Sequence, residues 1–361
     1  MIEEFGWNAN RQAAYENSPL SFAGGDIGRV VRMERDHAVI ATWPGTAAES
    51  GAANESDAST APAAAPATTH ISTVPTTGCV VGDWVVTDGA TWAEPLERTT
   101  LLSRQSSDRT SDEQALAANI DTVLVVEPMT SSFSARRIER MLTLAWASGA
   151  EPLVVLTKAD IGDPSRVEEA HSSAGATPVI ALSSATGENL NLLRERLGFG
   201  RTFVMLGISG AGKSSLVNAI AGRELLETGE VRRDDKGRHT TTHRELVSLG
   251  EFGCLIDAPG IRGVGMVSDP TGLDQTFGDI SALARECRFS DCSHETEPGC
   301  AVMDAVINGH LDPDRLASYQ RLKREIAHQS SRKTSRDRTA DKADTRGRQK
   351  AKRTAMRAKG R

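Results

Sequence analysis

The chain lacks long apolar runs, is poor in aromatic residues and contains only five cysteines. A bilayer span needs about 20 consecutive apolar residues, and none of that length is present. The acidic start Met1-Ile2-Glu3-Glu4 does not offer the charged and apolar regions of a signal peptide, so a cytoplasmic protein without a membrane anchor is expected. Aromatics at 4 % leave little for a binding face built on base stacking. An odd cysteine count, with three close together in a reducing compartment, favours metal over disulfides.

What is present suits two or three soluble domains: 361 residues with 39 % hydrophobic content. The net charge of −6 hides an asymmetry. Residues 331–361 carry 13 Lys/Arg against three Asp, whereas residues 1–330 carry 29 basic against 45 acidic side chains. Tail and body therefore suit different partners.

The most informative stretch begins with the apolar, β-prone run Phe203 to Leu206 and continues as Gly207-Ile208-Ser209-Gly210-Ala211-Gly212-Lys213-Ser214-Ser215. Leu216, Val217, Ala219 and Ile220 follow at helical spacing, as a strand, a Walker A loop and a helix require. Small residues let backbone N–H groups wrap a triphosphate, and the helix N-terminus adds positive partial charge. Lys213 is expected on the β/γ-phosphates and the Ser214 hydroxyl on Mg2+.

Upstream, strands are expected within Gly28 to Thr42 and at Ile71 to Val74, Val80 to Thr87 and Trp92 to Leu102, with no intervening helices. Residues 1–110 thus read as a small β-barrel of the OB type. Residues 1 to about 23 show little periodicity, although Trp7, Tyr15 and Phe22 could dock on a neighbour. Thr46 to Thr69, almost all Ala, Ser, Thr, Pro and acidic residues, reads as a disordered insertion. Arg29, Arg32 and Arg35 offer phosphate contacts for RNA, and a structural barrel with solvated arginines is the competing reading.

From Asn119 strands and helices alternate, which specifies a parallel sheet covered on both faces over residues 111–266. Ligands in such a sheet sit at the carboxyl ends of its strands. There Thr157-Lys158-Ala159-Asp160 resembles the Asn-Lys-x-Asp guanine reader of GTPases, with Thr157 in place of Asn. The Asp160 carboxylate could accept from both guanine N–H groups, and the stem of Lys158 could cover the base. Ser183-Ser184-Ala185 resembles the loop beneath the base. Gly237-Arg238-His239-Thr240-Thr241-Thr242 resembles switch I, with Thr241 the candidate Mg2+ ligand. Asp257-Ala258-Pro259-Gly260 matches switch II, Asp257 facing Mg2+ through water and the Gly260 N–H facing the γ-phosphate. Ile261 cannot orient an attacking water, so hydrolysis is expected to be slow and partner-dependent, with His239 the candidate catalytic residue. The reader precedes the phosphate loop, the reverse of the usual GTPase order, so the domain reads as circularly permuted.

Beyond it, Cys287-x4-Cys292-x-His294-x5-Cys300 supplies three thiolates and an imidazole for one closed, structural Zn2+ site. Residues 267–330 then read as an α-rich zinc-binding lobe that needs its metal to fold, with helices from Cys300 and from Asp314. The basic tail, residues 331–361, reads as nonperiodic and suited to RNA phosphate.

Together these motifs resemble the ribosome small-subunit-dependent GTPase A family over nearly the whole chain. The resemblance implies an OB-fold, GTP/GDP binding with Mg2+, and GTP hydrolysis stimulated by the small ribosomal subunit and its rRNA. It also implies a role in late maturation of that subunit and in release of an assembly factor. A monomer is expected. Two alternatives are an RNA-binding scaffold with a vestigial nucleotide site and a P-loop ATPase or kinase.

Overall fold

The computed structural model describes residues 2–22, 25–34, 37–43, 70–75, 78–105, 113–226, 244–257 and 269–331. The first part holds five strands: β1 (Asp26–Met33), β2 (His37–Trp43), β3 (His70–Pro75), β4 (Trp84–Thr87) and β5 (Ala93–Pro95). They pair antiparallel in the order β3-β2-β1-β4-β5, with a register shift between Val30 and Arg32. Trp43 and Trp84 are fully buried between them, joined by Trp7 and Tyr15 from the N-terminal segment. That segment is more ordered than its weak periodicity suggests. Helix α1 (Ala9–Glu16) starts at Asn8, whose side chain accepts from the Arg11 N–H, and it inserts Tyr15 beside Trp7.

Arg29 is a correction to the expected phosphate contacts. It is 1 % exposed, lies over the Trp84 ring, and donates to Phe5 O, Asn119 O and the Thr202 hydroxyl. Strand alternation turns Arg29 inward onto the next domain, where three oxygen acceptors replace its water. Arg32 remains half-exposed beside Glu34, and Arg35 lies outside the described residues.

A separate hairpin follows, β6 (Leu101–Gln105) with β7 (Glu113–Ala118). The expected division at residue 110 falls between these paired strands. The main sheet then builds from β8 (Thr122–Pro128), β9 (Glu151–Thr157), β10 (Val179–Ala181), β11 (Thr202–Leu206), β12 (Glu245–Ser248) and β13 (Cys254–Asp257). Its order is β10-β9-β8-β11-β13-β12, and all pairs are parallel except β12 with β13. The exception has a covalent cause: β12 and β13 are joined only by Leu249–Gly253, too short for a crossover helix, so the chain must reverse. A single bridge, Arg32 to Glu245, joins β12 to β1.

Odd and even strand residues bury on opposite faces. Val123, Val125, Val154, Leu156 and Val204 pack against α2 (Ala135–Ala147) and α3 (Ser165–Ala174). Leu124, Val126, Val155, Phe203 and Met205 pack against α4 (Leu190–Leu197) and α5 (Lys213–Ala221).

The C-terminal lobe has α6 (Thr271–Thr276), α7 (Gly278–Ala284), α8 (Ala301–Ile307) and α9 over residues 313–331. Leu273, Phe277, Ile280, Val302 and Leu322 form a core of its own, larger than the sequence suggested. The lobe is fixed to α2 by ion pairs. Arg315 donates to both Asp279 oxygens (2.6 and 2.9 Å), to Glu139 (3.2 Å), and to Ser173 O and Thr276 O. The Ser318 hydroxyl also donates to Glu139, and Arg140 pairs with Glu325. Burial alone would lower the Arg315 pKa, and its two carboxylates outweigh this and raise it. Among the described residues, no helix is long and apolar enough to cross a membrane.

Candidate nucleotide site and metal centre

Four loops that carry predicted site residues leave the same edge of the sheet, because β9, β10, β11 and β13 run parallel and end there. The loop after β11 turns tightly into α5. A Cβ on Gly207 would stand 2.5 Å from Val126 O on neighbouring β8, so the loop can leave the sheet there only as glycine. Gly212, at φ 89°, caps the start of α5. Lys213 Nζ donates to Gly207 O (2.8 Å) and Ile208 O (2.7 Å), holding its ammonium across the loop mouth. Ser209, Gly210 and Ser215 are exposed, Ile208 and Ser214 are half-buried, and Ala211 is fully buried.

The predicted guanine reader lies beside this loop. Thr157, last residue of β9 and 1 % exposed, donates its hydroxyl to Ala211 O at 2.6 Å. Lys158 then takes a left-handed φ of 62° and breaks the strand, and Ala159 N–H donates to Leu182 O. Asp160 is exposed, and one carboxylate oxygen accepts from the buried Ser183 hydroxyl at 2.7 Å. The same Ser183 oxygen accepts from Ala185 N–H and Thr186 N–H, while Ser184 is half-buried next to it. Reader, Ser-Ala loop and phosphate loop are therefore one hydrogen-bonded rim. Asp257, half-buried, ends β13 opposite Glu245. His239, Thr241 and Gly260 lie outside the described residues.

The sequence reading passed over Glu127. It is fully buried at the end of β8, bridged by Arg137, and accepts from Ser134 N–H at 2.8 Å. Burial pushes its carboxyl pKa up despite the guanidinium. A carboxylate closing an otherwise apolar strand was the available signal. The pair shapes the loop from which Met129 N–H reaches Thr157 O.

In the C-terminal lobe the ligand atoms of Cys287, Cys292, His294 and Cys300 all lie within 4.8 Å of one another. His294 Nδ1 is 3.6 Å from the Cys287 sulfur and 3.5 Å from that of Cys300, and those sulfurs are 3.9 Å apart. A tetrahedron with Zn–S of about 2.3 Å and Zn–N of about 2.0 Å has edges of roughly 3.5–3.8 Å, so the donor set fits zinc. His294 sits at φ 60°, its carbonyl taken by Gln320. The Glu297 carboxylate gathers Ser293 N–H, Glu295 N–H and Thr296 N–H around the loop between ligands, a role the sequence reading missed. Buried Cys254 opens β13 and packs in the sheet core, and buried Cys79 packs in the core of the first domain from the segment before β4.

A Walker loop braced by the end of a strand that precedes it in the chain and carries the predicted guanine reader defines the class: a circularly permuted P-loop GTPase with an appended Cys3His metal lobe. Residues 95–267 match the family model for RsgA GTPase. A small ribosomal subunit biogenesis GTPase RsgA of Streptomyces coelicolor is 40 % identical over 337 residues, covering 90 % of this chain and 86 % of that one. Its counterpart from Xylella fastidiosa is 44 % identical over 71 % of this chain and 76 % of that protein. Among solved structures, YjeQ from Thermotoga maritima aligns with a TM-score of 0.60 and 25 % identity, over 84 % of this chain and 98 % of its own. YloQ, a circularly permuted GTPase, shares the fold with a TM-score of 0.53 at 22 % identity, over 84 % of this chain and 95 % of its own. The chain belongs to the RsgA GTPase family and is a GTP-hydrolysing enzyme.

Proposed function

We propose that this GTPase acts in late maturation of the small ribosomal subunit in the cytoplasm, binding the subunit and its rRNA and promoting release of an assembly factor. The observation that carries the nucleotide half is the Thr157 hydroxyl bonded to Ala211 O, which seats the guanine reader and the phosphate loop on one rim. Support for the ribosomal half comes from relatives named small ribosomal subunit biogenesis GTPases, at 40 % identity across most of the chain.

In this reading residues 1–110 form an OB-type barrel and residues 111–266 the permuted GTPase domain. Residues 267–330 form the zinc lobe, and the basic segment 331–361 meets RNA phosphate. Guanine lies against Lys158 and Asp160, above Ser183 and Ser184. The phosphates lie along Gly207 to Ser215. Ser214 and Thr241 would hold Mg2+, to which Asp257 would contribute through water, and the Gly260 N–H would meet the γ-phosphate. One Zn2+ is held by Cys287, Cys292, His294 and Cys300. Intrinsic turnover is slow because Ile261 cannot orient water, and His239 enters the site when the subunit binds.

GTP turnover measured with and without small subunits tests this. Stimulation is expected in the wild type and lost in Lys213→Ala; retained stimulation in His239→Ala would remove that residue's role. An Asp160→Asn variant that fails to shift preference from guanine to xanthine nucleotides would favour the ATPase alternative.

A further inference from the structure

The loop that carries the predicted guanine reader is tied off at both ends by one residue. Met129 N–H donates to Thr157 O at 3.0 Å, and Met129 O accepts from Asp163 N–H at 2.9 Å, so the chain from 157 to 163 leaves and returns to a single point. Packing at that point is close. A Cβ on Gly162 would collide with the Met129 Cβ and stand 3.0 Å from the Met129 carbonyl oxygen. Met129 itself is buried, and the Asp163 carboxylate that follows accepts from Ser165 N–H where α3 begins.

Met129 opens the turn between β8 and α2, and that turn is built on a charge. The fully buried Glu127 carboxylate accepts from Ser134 N–H and from Arg137 Nε, each at 2.8 Å. Arg137 Nη2 donates to the same carboxylate and to Ser132 O. The carboxylate thus fixes the residue that opens α2, and the guanidinium fixes the chain two residues ahead of it. A forked Arg–carboxylate contact is both stronger and more directional than a neutral hydrogen bond. Phe133 in the same turn also meets the reader side, with the Arg166 guanidinium 5.3 Å from its ring centre and 3.7 Å from Asp163. By strand alternation Glu127 lies on the face that Val123 and Val125 turn toward α2 and α3, whereas the phosphate loop runs into α5 on the other face.

We propose that Glu127 and Arg137 are positioning residues for the base: through Met129 they fix the 157–163 loop, and so set discrimination between guanine and other purines without acting on the phosphates. This rests on the guanine reader assigned above. Asp160 would accept from the ring N–H and the exocyclic amine of guanine. Inosine lacks that amine, so the ratio of GDP to inosine diphosphate affinity reports where the carboxylate stands.

Glu127→Leu combined with Arg137→Met removes both charges together, which a buried pair tolerates far better than loss of one partner. Arg137→Lys keeps the charge without the fork, and carries the test should the double variant not fold. Dissociation constants for GDP and inosine diphosphate are measured on the wild type, both variants and Asp160→Ala. Amide hydrogen exchange is followed over residues 158–163 in the nucleotide-free protein, and circular dichroism melts identify folded variants. In the double variant, exchange over 158–163 should quicken about tenfold. GDP should bind about tenfold more weakly, equivalent to about 1.4 kcal/mol, with inosine diphosphate within about threefold of wild type. The Lys variant should fall between the two. Where Asp160→Ala lowers the ratio, an unchanged ratio in the folded double variant would overturn the proposal, as would equal losses of both nucleotides, which a merely structural pair would give. If exchange quickens in the double variant while Asp160→Ala leaves the ratio untouched, the loop anchor stands and the base-reading assignment fails.

Discussion

Replacement of Arg315 by methionine tests how the zinc lobe is fixed to the GTPase domain. Its guanidinium spans Asp279 on α7 and Glu139 on α2, and it lies 4.8 Å from the Phe277 ring centre. Glu139 is only 3 % exposed, so loss of Arg315 leaves a buried carboxylate with the Ser318 hydroxyl alone. Removing one partner of a buried pair costs about 3–5 kcal/mol. The penalty has a pH signature. Burial already raises the Glu139 pKa in the native protein, and without its cation that rise grows. A carboxyl whose folded pKa lies above its unfolded value disfavours folding only where it ionises, so the deficit is complete above the folded pKa and shrinks as pH falls from there toward the unfolded value. Asp279 behaves oppositely: burial raises it, Arg315 outweighs this and holds it below the ordinary range, and that contribution disappears only in strong acid. Urea unfolding followed by circular dichroism, with zinc release read by a chromophoric chelator, should show a loss of about 3–5 kcal/mol at pH 8 that shrinks toward pH 5.5. Adding Glu139→Gln should recover part of it. A loss below about 1 kcal/mol, or one equal at both pH values, would refute this account and class the contact with surface ion pairs.

Gly207→Ala would force a Cβ to 2.5 Å from Val126 O, separating β8 from the phosphate loop. Nucleotide affinity should fall more than about tenfold, as measured by equilibrium titration with GDP. Burial pushes the Cys254 thiol up to about 11, so the folded protein keeps it neutral while the unfolded chain ionises it near pH 9. Stability should therefore fall by about 2–3 kcal/mol between pH 9 and 11, and Cys254→Ala should flatten that limb of the pH profile. Stripping zinc, or Cys300→Ser, should lower the melting transition of α6 to α9 by roughly 10 °C or more. GDP affinity should change by less than about threefold, because the metal lies in a lobe with its own core.

Legibility followed the range of the interactions. The phosphate loop, the alternating strands after Asn119 and the Cys3His spacing were readable because each is local: a few residues dictate a turn, a period or a ligand set. Strand β7 was not, since Glu-Gln-Ala-Leu-Ala-Ala is built of helix-favouring residues and becomes a strand only by pairing with β6. Arg29 misled for a related reason. A charged residue on a barrel strand ordinarily faces water, and the acceptors that bury it come from residues 5, 119 and 202. Thr157 was visible as a departure from the reader motif, but that its hydroxyl would reach Ala211 O depends on the spacing of β9 and the phosphate loop. Residues 236–242, where the switch I reading falls, lie outside the described residues.

The permuted order has a consequence for a growing polypeptide. Strand β8 lies between β9 and β11 in the sheet, yet β11 is translated roughly eighty residues later, on the order of 4–16 s at about 5–20 residues per second. Through that interval the backbone of β8 has one edge without its native neighbour, and the loop that follows β9 has no Walker loop beside it. A chaperone that shields open strand edges near the tunnel exit would matter most in this window, and codon changes that slow translation between residues 128 and 206 should lower soluble yield more than equal pauses after residue 257.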